Sequence, residues 1–434
     1  RPALALAAVI RNRADWLLGV NSSHAICKAV GFGNNSLGRV QTPVLAEICR
    51  RYRERENHMP ADSWPVFISL CKNDRILKMR HVDDLVARRE ALALYEDCKA
   101  AKNVRITAVE KRTEEIGAPA LYNLAELQKD VNRYHGLTAI QVQEIAQSLY
   151  EKRLISYPRT SSRLLPKDVY DTLPPVMEKM LSRKEFRRYA GMVDLAAPQD
   201  SIGAQDTIEH HAIIITGIQP GKLGREEMLV YTLIVGRVLE TFMPPCKVEY
   251  TTVDAVCAAR KFRICTYRIL EKGWLGIFER EHIVAKGRMP YQVMPEFFQE
   301  EILPVAGCSL IHKKSLPVSP YTDEELVDYM DKAGLGTVST RTNILRTLLE
   351  RKYIRYSGKY VVPTPKGLLL YETVRGMKVA DASLTSGWET ELARIERGEL
   401  SQEEFLDGVL ETVNEVTGEI FRNHPVEKRP QGTI

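Results

Sequence analysis

Residues 154–166 have the sequence LISYPRTSSRLLP, in which an aromatic hydroxyl, Tyr157, stands two positions before Arg159. The surrounding window is basic, because residues 151–167 hold five Lys or Arg against one acidic residue, Glu151. Pro158 restricts the backbone directly after the tyrosine, since its ring fixes φ. A tyrosine in such a position is most often a packed ring, but the local charge also suits a tyrosine that attacks an anion.

The chemistry of that second alternative is specific. A phenol can attack a phosphodiester if it loses its proton and if positive charge stabilises the transition state. Arg159 carries a planar guanidinium that can donate two parallel hydrogen bonds to one phosphate. Thr160, Ser161 and Ser162 add hydroxyl donors. The stretch therefore indicates either core packing or a nucleophile for a nucleic-acid backbone, and the rest of the chain decides between them.

Length and composition bound the fold. A chain of 434 residues is too long for one ordinary core, so about two to four domains are expected. The composition, 44% hydrophobic and 27% charged, is that of a globular protein, and no apolar run reaches the roughly 20 residues of a membrane span. None of the eight cysteines forms a CxxC pair, which argues against a zinc ribbon and fits a reducing compartment. The chain begins with Arg-Pro, so we expect a piece of a longer protein.

Charge is distributed unevenly along the chain. Residues 1–60 hold nine Lys or Arg and four Asp or Glu, a net +5, whereas residues 381–422 hold three and eleven, a net −8. A basic beginning suits contact with an anion such as nucleic acid, although ordinary solvated faces would give the same pattern.

Hydrophobic patterning predicts a mixed architecture. Residues 1–30 and 36–56 have helical periodicity. Two β-rich zones, 60–110 and 246–307, flank a helical middle at 121–243, and KGWLGIF (272–278) is assigned to the second β-rich zone. The simplest interpretation is one β domain whose chain leaves, builds a helical domain and returns.

Residues 320–372 predict a winged helix. Two helices meet at a GLGTVS turn, and a hairpin follows whose turn is predicted at Ser357–Gly358. Thr364 is then placed to cap a further helix, with Pro365 at its first position. Winged helices often bind nucleic acid, but some contact only proteins.

Several segments, taken together and in chain order, resemble those of the type IA DNA topoisomerases, in particular the topoisomerase III branch. They are SLGRVQTP (36–43), ALYNLAELQKDVNRYHGLTAIQVQEIAQSLYEKRLISYPRT (120–160), EHHAIIIT (209–216), GLGTVSTRTNILRTLLERKYI (334–354) and WETELARIERGEL (388–400). The resemblance implies a multidomain α+β fold shaped as an open toroid. It has a winged-helix domain (1–60 and 308–422), a β-arch hinge domain (61–108 and 244–307), a helical tyrosine domain (109–243) and a tail (423–434).

The resemblance also implies roles for particular residues. Tyr157 would attack one DNA strand and hold its 5′ phosphate, Arg159 would stabilise the charge on that phosphate, and His210 matches an active-site histidine. The implied contacts with single-stranded DNA are made by Arg11, Arg13, Ser36, Arg39, Gln41, Thr160, Thr340 and Arg341. From the residues alone, Arg39 could equally form an ion pair, Thr340 could be only a helix cap, and His210 could be an ordinary hydrogen-bonded histidine.

The chain departs from the family pattern in several places, including Ala118 and Ala120 around Pro119 in a linker that is usually rich in proline. Ser161 stands where the family usually has Asp, and Ile215 replaces a Pro of the HHAIIPT segment. The family also places a Toprim domain, with a DxDxE cluster for Mg²⁺, ahead of the segment where this chain starts, and no such cluster is found in the sequence. We therefore expect no metal ligands in this chain, Mg²⁺ bound by the Toprim domain of the complete enzyme, and a chain that is catalytically incomplete by itself.

The resemblance implies ATP-independent relaxation or decatenation by a monomer at the bacterial nucleoid, with single-stranded DNA and the Toprim domain as partners and no membrane. The absence of a GxxxxGK[ST] segment agrees with this. Two alternatives stay open. One is a non-catalytic, single-strand-binding relative, and the other is a winged-helix regulator that binds specific duplex sequences.

Overall fold

A computed structural model describes residues 2–30, 35–184, 186–194, 210–285, 294–338 and 340–424. The helices are α1 (Pro2–Val30), α2 (Gln41–Glu56), α3 (Arg88–Ala100), α4 (Leu124–His135), α5 (Ala139–Glu151), α6 (Lys167–Tyr170), α7 (Leu173–Leu181), α8 (Arg225–Thr241), α9 (Asp323–Lys332), α10 (Arg341–Glu350), α11 (Pro365–Val374), α12 (Ala382–Glu396) and α13 (Gln402–Asn423). The strands are β1 (Asp62–Ser63), β2 (Val66–Lys72), β3 (Arg75–His81), β4 (Asn103–Ile116), β5 (Cys246–Cys257), β6 (Arg260–Glu271), β7 (Ile302–Leu310), β8 (Lys313–Lys314), β9 (Tyr321–Thr322), β10 (Ile354–Ser357) and β11 (Tyr360–Pro363).

The winged-helix region combines α1 and α2 with residues 316–424. Strands β10, β11 and β9 form an antiparallel sheet beside α9 and α10, and α1 packs against α12 and α13. Local sequence sets the helix starts: Thr322 caps α9 in a capping box with Glu325, and Thr364 accepts the amide of Gly367 at the start of α11. Gly334, at φ +64°, ends the turn after α9.

The barrel region is a closed antiparallel barrel with strand order β2-β3-β6-β5-β4-β7. Strands β2, β3 and β4 come before the helical middle of the chain and β5, β6 and β7 after it, so the chain leaves this region at Ile116 and returns at Cys246. Buried and less buried positions alternate along β5, as expected for a strand with one face inside a barrel. A short ribbon of β1 and β8 joins the barrel to the winged-helix region.

The tyrosine region consists of residues 117–243 together with 272–285. Its core surrounds Tyr122 and Trp274, which are 0% and 1% exposed. The two loops that matter for the site are tied by isolated bridges, Tyr122 to Ile213 and Ile155 to Ile215. Helix α4 packs on α9, and α5 packs on α10, so this region also contacts the winged-helix region.

Two local predictions were wrong. KGWLGIF is not a strand, since Gly273–Gly276 forms a 3₁₀ turn that buries Trp274, whose Nε1 donates to the Ile116 carbonyl at 2.8 Å. The turn of the wing is Gly358–Lys359, because Ser357 pairs with Tyr360, and glycine takes the position with φ +59°.

None of the described helices is both long enough and apolar enough to cross a membrane. The exact domain boundaries stay a prediction, and residues 425–434 of the predicted tail lie outside the described residues.

Candidate active site

The tyrosine loop, residues 152–166, begins directly after α5. After Glu151 the chain turns through Arg153 at φ +59°, and the Leu154 amide bonds back to the Leu149 carbonyl at 3.0 Å. The loop then lies against residues 212–216. The Ser156 amide donates to the Ile214 carbonyl at 2.9 Å, and the Thr216 amide donates to Leu154 at 3.2 Å. The backbone before the tyrosine is thus fixed on both sides.

Tyr157 itself is not a core residue. It is partly exposed, whereas Pro158 after it is buried. Its ring lies edge-on to Tyr150, with centroids 5.4 Å apart, and at 4.7 Å from the ring of His210. The structure therefore brings the predicted nucleophile and the predicted histidine into contact and leaves the phenol accessible.

Arg159 is a cation without a counter-ion in the described part of the chain. Its Nε is buried and has no hydrogen-bond acceptor there, which is costly for a charged group. Arg163, only four residues on, is different: its guanidinium donates to the carbonyls of Leu121 and Ala120 at 3.1 and 3.0 Å. Of the two arginines that follow Tyr157, Arg159 is therefore the one whose guanidinium is free to take an anion.

Thr160 contacts the histidine loop, residues 210–216. It is 2% exposed, its Oγ1 donates to the His210 carbonyl at 2.7 Å, and it accepts the amide of Ser162 at 3.0 Å. Ser161 is exposed, and its carbonyl accepts from the Asn123 side chain at 2.9 Å. With its hydroxyl so engaged, Thr160 positions His210 in this conformation, and its direct contact with DNA stays a prediction.

Ser36 and Gln41 lie together at the start of α2. The Gln41 Nε2 donates to the Ser36 Oγ at 3.4 Å, and the Ser36 amide donates to the Tyr353 hydroxyl at 2.8 Å. Arg351, which the sequence analysis did not single out, donates to the Gln41 Oε1 at 3.5 Å. These contacts place polar side chains of α2 and of the winged helix on one surface.

Arg39 lies in a buried ion network rather than on an open surface. Its guanidinium is 4% exposed and reaches Asp15 at 2.7 Å and Glu389 at 2.9 Å, while Arg11 binds the same Glu389 at 2.8 Å. Burial alone would raise the pKa of Glu389, but the hydrogen bonds from Arg11 and Arg39 outweigh it and keep that pKa below its usual value. DNA contacts by Arg11 and Arg39 stay predictions, whereas Arg13 is exposed on α1.

Thr340 and Arg341 open helix α10. Thr340 is exposed, and its Oγ1 accepts the Thr337 amide at 2.8 Å instead of capping α10 itself. Arg341 is 8% exposed and pairs with Asp331 at 2.6 Å, yet its Nε and one terminal nitrogen are buried without an acceptor among the described residues.

The described part of the chain contains no group of three or more His, Cys, Asp or Glu side chains that could hold a metal ion. No such cluster for Mg²⁺ is therefore present among the described residues.

Some functional neighbours could not be found by sequence reasoning. Tyr150 was missed, although it lies seven residues before Tyr157, because the turn after α5 is what brings the two rings together. Glu389 was missed as the partner of Arg39, since 350 residues separate them. Glu209, in the EHHAIIIT segment, lies outside the described residues.

A family model described as DNA topoisomerase matches residues 1–407. DNA topoisomerase 1 of Pyrococcus horikoshii is 29% identical over 98% of this chain and 62% of its own length, and DNA topoisomerase 3 of Bacillus licheniformis is 27% identical over 95% and 60%. The solved structure of full-length topoisomerase I from Thermotoga maritima shares the fold, with a TM-score of 0.74 at 20% identity, over 96% of this chain and 68% of that one.

The chain thus spans about three fifths of the length of these two curated relatives. The family model covers most of the chain, from residue 1 to residue 407, and the tyrosine loop, the histidine loop and the winged helix all fall inside it. This chain therefore belongs to the type IA DNA topoisomerases.

Proposed function

We propose that this chain carries the DNA-cleaving tyrosine and the single-strand-binding surface of a type IA topoisomerase. The observation that carries the proposal is the pairing of an accessible Tyr157 with Arg159, a cation that has no counter-ion in the described structure. A phosphate that enters beside Tyr157 would satisfy that charge. This pairing supports a nucleophile rather than a packed ring.

The proposed reaction is a reversible transesterification. The Tyr157 phenol gives up its proton, its oxygen forms a bond to a backbone phosphorus, and the bond from phosphorus to the 3′ oxygen breaks as that oxygen takes up a proton. Arg159 stabilises the charge on the phosphate oxygens, and His210, in contact with the Tyr157 ring, orients the phenol or the phosphate. The 3′ hydroxyl later attacks the phosphotyrosine, so the phosphodiester is restored without a nucleotide cofactor.

We further propose that residues 1–434 are incomplete for catalysis by themselves. The group that protonates the leaving 3′ oxygen and the Mg²⁺ site would come from a Toprim domain in the complete enzyme. Two observations support this: the described residues contain no cluster of three or more His, Cys, Asp or Glu side chains that could hold a metal ion, and the chain spans about three fifths of the length of its two compared relatives. The chain alone would then bind single-stranded DNA and cleave it weakly or not at all.

Strand passage requires the tyrosine region to move away from the winged-helix region, and the contact between them includes ion pairs. Lys129 donates to Asp328 at 2.8 Å, and Arg346 donates to Glu144 at 2.6 Å. Polar contacts exchange for water at low cost, so such a surface can part and close again. Both topoisomerases 1 and 3 are among the relatives, so assignment to the topoisomerase III branch, and to decatenation over relaxation, stays a proposal.

Covalent trapping tests this function. The chain is mixed with a 3′-labelled single-stranded oligonucleotide and Mg²⁺, with and without the Toprim segment of the parent protein, and quenched with detergent. We expect labelled protein in the presence of Toprim and none for the Tyr157→Phe variant. Binding without any adduct, with a folded Toprim segment present, would contradict the cleavage proposal and favour a non-catalytic single-strand-binding protein.

A further inference from the structure

A groove at the wing is unused by the site described above. It is a cavity of about 590 Å³ between the end of α2, the linker at 316–320 and the wing strands β10 and β11. Two tyrosines, Tyr52 and Tyr360, and two arginines, Arg55 and Arg355, line it, and none of the residues that line it is acidic. We call this cavity the wing groove.

The charged residues that line the wing groove, Arg55 and Arg355, are of one sign. Residues 351–371 hold five Lys or Arg and no Asp or Glu. Arg355 is exposed and has no ion-pair partner among the described residues, and Lys359 lies 5.4 Å from the ring of Tyr360. Arg55 donates one hydrogen bond to the Val318 carbonyl at 3.2 Å, so it is held in place without being neutralised. An anionic ligand would meet no opposing carboxylate here.

The chemistry of the lining narrows the ligand. Aromatic rings beside unpaired cations are the arrangement that proteins use for single-stranded nucleic acid, because the bases stack and the phosphates are neutralised. A duplex offers no exposed base face to a tyrosine ring. The wing groove therefore fits a flexible single strand better than a double helix.

The wing groove also lies in line with the surface at the start of α2. Gln41, the first residue of α2, contacts Arg351 from the winged helix, whereas Tyr52 and Arg55 lie near the other end of the same helix. Eleven residues of helix separate Gln41 from Tyr52, which corresponds to about 16 Å. A stacked strand rises about 3.4 Å per nucleotide, so roughly five nucleotides cover that distance.

We propose that the wing groove is a second contact for single-stranded DNA, which extends the bound strand along α2 beyond Ser36 and Gln41. Tyr52 and Tyr360 stack on bases, and Arg55 and Arg355 bind the phosphates between them. This inference rests on the proposed function, since it lengthens the same strand. It makes the binding site longer than the cleavage site.

Affinity as a function of oligonucleotide length tests the inference. Fluorescence anisotropy would compare oligothymidylates of about 6 and about 14 nucleotides, lengths within the range of known single-strand sites. We expect the wild-type chain to bind the longer strand more tightly. Tyr360→Ala and Arg355→Ala should each lose about tenfold or more of affinity for the longer strand and leave the shorter one unchanged. Arg355→Ala should also lower the salt slope by about 0.7.

Matched variants separate chemistry from folding. Tyr360→Phe keeps the ring and should bind as the wild type does, and Arg89→Ala removes an exposed cation from α3, away from the groove. Equal affinity of the wild-type chain for both lengths, or unchanged binding of the longer strand by both alanine variants, overturns the inference alone. A wild-type chain that binds neither length overturns the proposed function and this inference with it.

Discussion

Asp323 ties the winged-helix region to the tyrosine region, and its replacement by alanine should loosen that contact. The carboxylate is 1% exposed, accepts the Ala139 amide at 2.6 Å, and accepts the Tyr356 hydroxyl at 2.9 Å. Ala139 is the first residue of α5, and amides in the first turn of a helix have no acceptor within it. Protection of that amide therefore depends on Asp323.

The size of the effect follows from these contacts. Asp323→Ala leaves two buried donors without this acceptor, and a buried unsatisfied donor costs about 1–3 kcal/mol. Burial raises the pKa of Asp323 despite the bonds from Ala139 and Tyr356, so removal of the charge returns part of that cost. For the contact through Ala139 we expect a net loss of about 1–2 kcal/mol, or roughly 5- to 30-fold more frequent opening.

Native-state hydrogen exchange measures this opening directly. The Ala139 amide should exchange roughly 5- to 30-fold faster in Asp323→Ala, whereas the Val253 amide in the barrel should not change. Asp323→Asn retains an acceptor oxygen and should remain close to the wild type. If Ala139 exchanges at the wild-type rate in Asp323→Ala, the carboxylate does not hold this contact and the reasoning is refuted.

Three further outcomes are expected. Arg159→Ala should slow adduct formation with Toprim present by about 100-fold or more without lowering the unfolding midpoint in urea, because the guanidinium satisfies no described acceptor. Arg159→Lys keeps the charge but not the two parallel donors, so wild-type activity of that variant would contradict a role in bidentate binding. Glu389→Ala removes one partner of Arg39 and should lower the free energy of unfolding in urea by about 1–3 kcal/mol. The affinity for single-stranded DNA should rise, because Arg11 and Arg39 both lose Glu389 as a partner. Unchanged affinity would indicate that neither arginine contacts the strand. Burial raises the pKa of the Glu240 carboxyl from 4.5 to about 7. Between these two pH values the free energy of unfolding of the wild-type chain should therefore fall as pH rises, by roughly 3 kcal/mol relative to Glu240→Gln. Parallel profiles of unfolding free energy against pH for the two proteins would contradict this pKa shift.

The sequence predicted those elements whose signals are local. The helix at Pro365–Val374 begins where Thr364 and Pro365 predict, because a cap and a fixed φ act within one turn. The prediction of a strand at KGWLGIF was wrong because the conformation of this segment depends on contacts with residues outside it. A Cβ on Gly273 would lie 2.4 Å from the carbonyl oxygens of Pro244 and Pro245. Closure of the barrel could likewise not be predicted from the sequence, because β4 pairs with β5 although the whole helical middle of the chain separates them in sequence.

The active-site loop shows the same limit at the level of single charges. Arg159 and Arg163 are identical in type, four residues apart, and equally suited on paper to a phosphate. The fold separates them, because Arg163 donates to two backbone carbonyls, whereas the buried Nε of Arg159 has no acceptor among the described residues. A buried donor atom of a cation that has no acceptor is costly, and such groups are found where a ligand completes the site. Which arginine is left without an acceptor therefore depends on the tertiary position of Ala120 and Leu121, whose carbonyls bind Arg163. No pattern within the loop specifies that position.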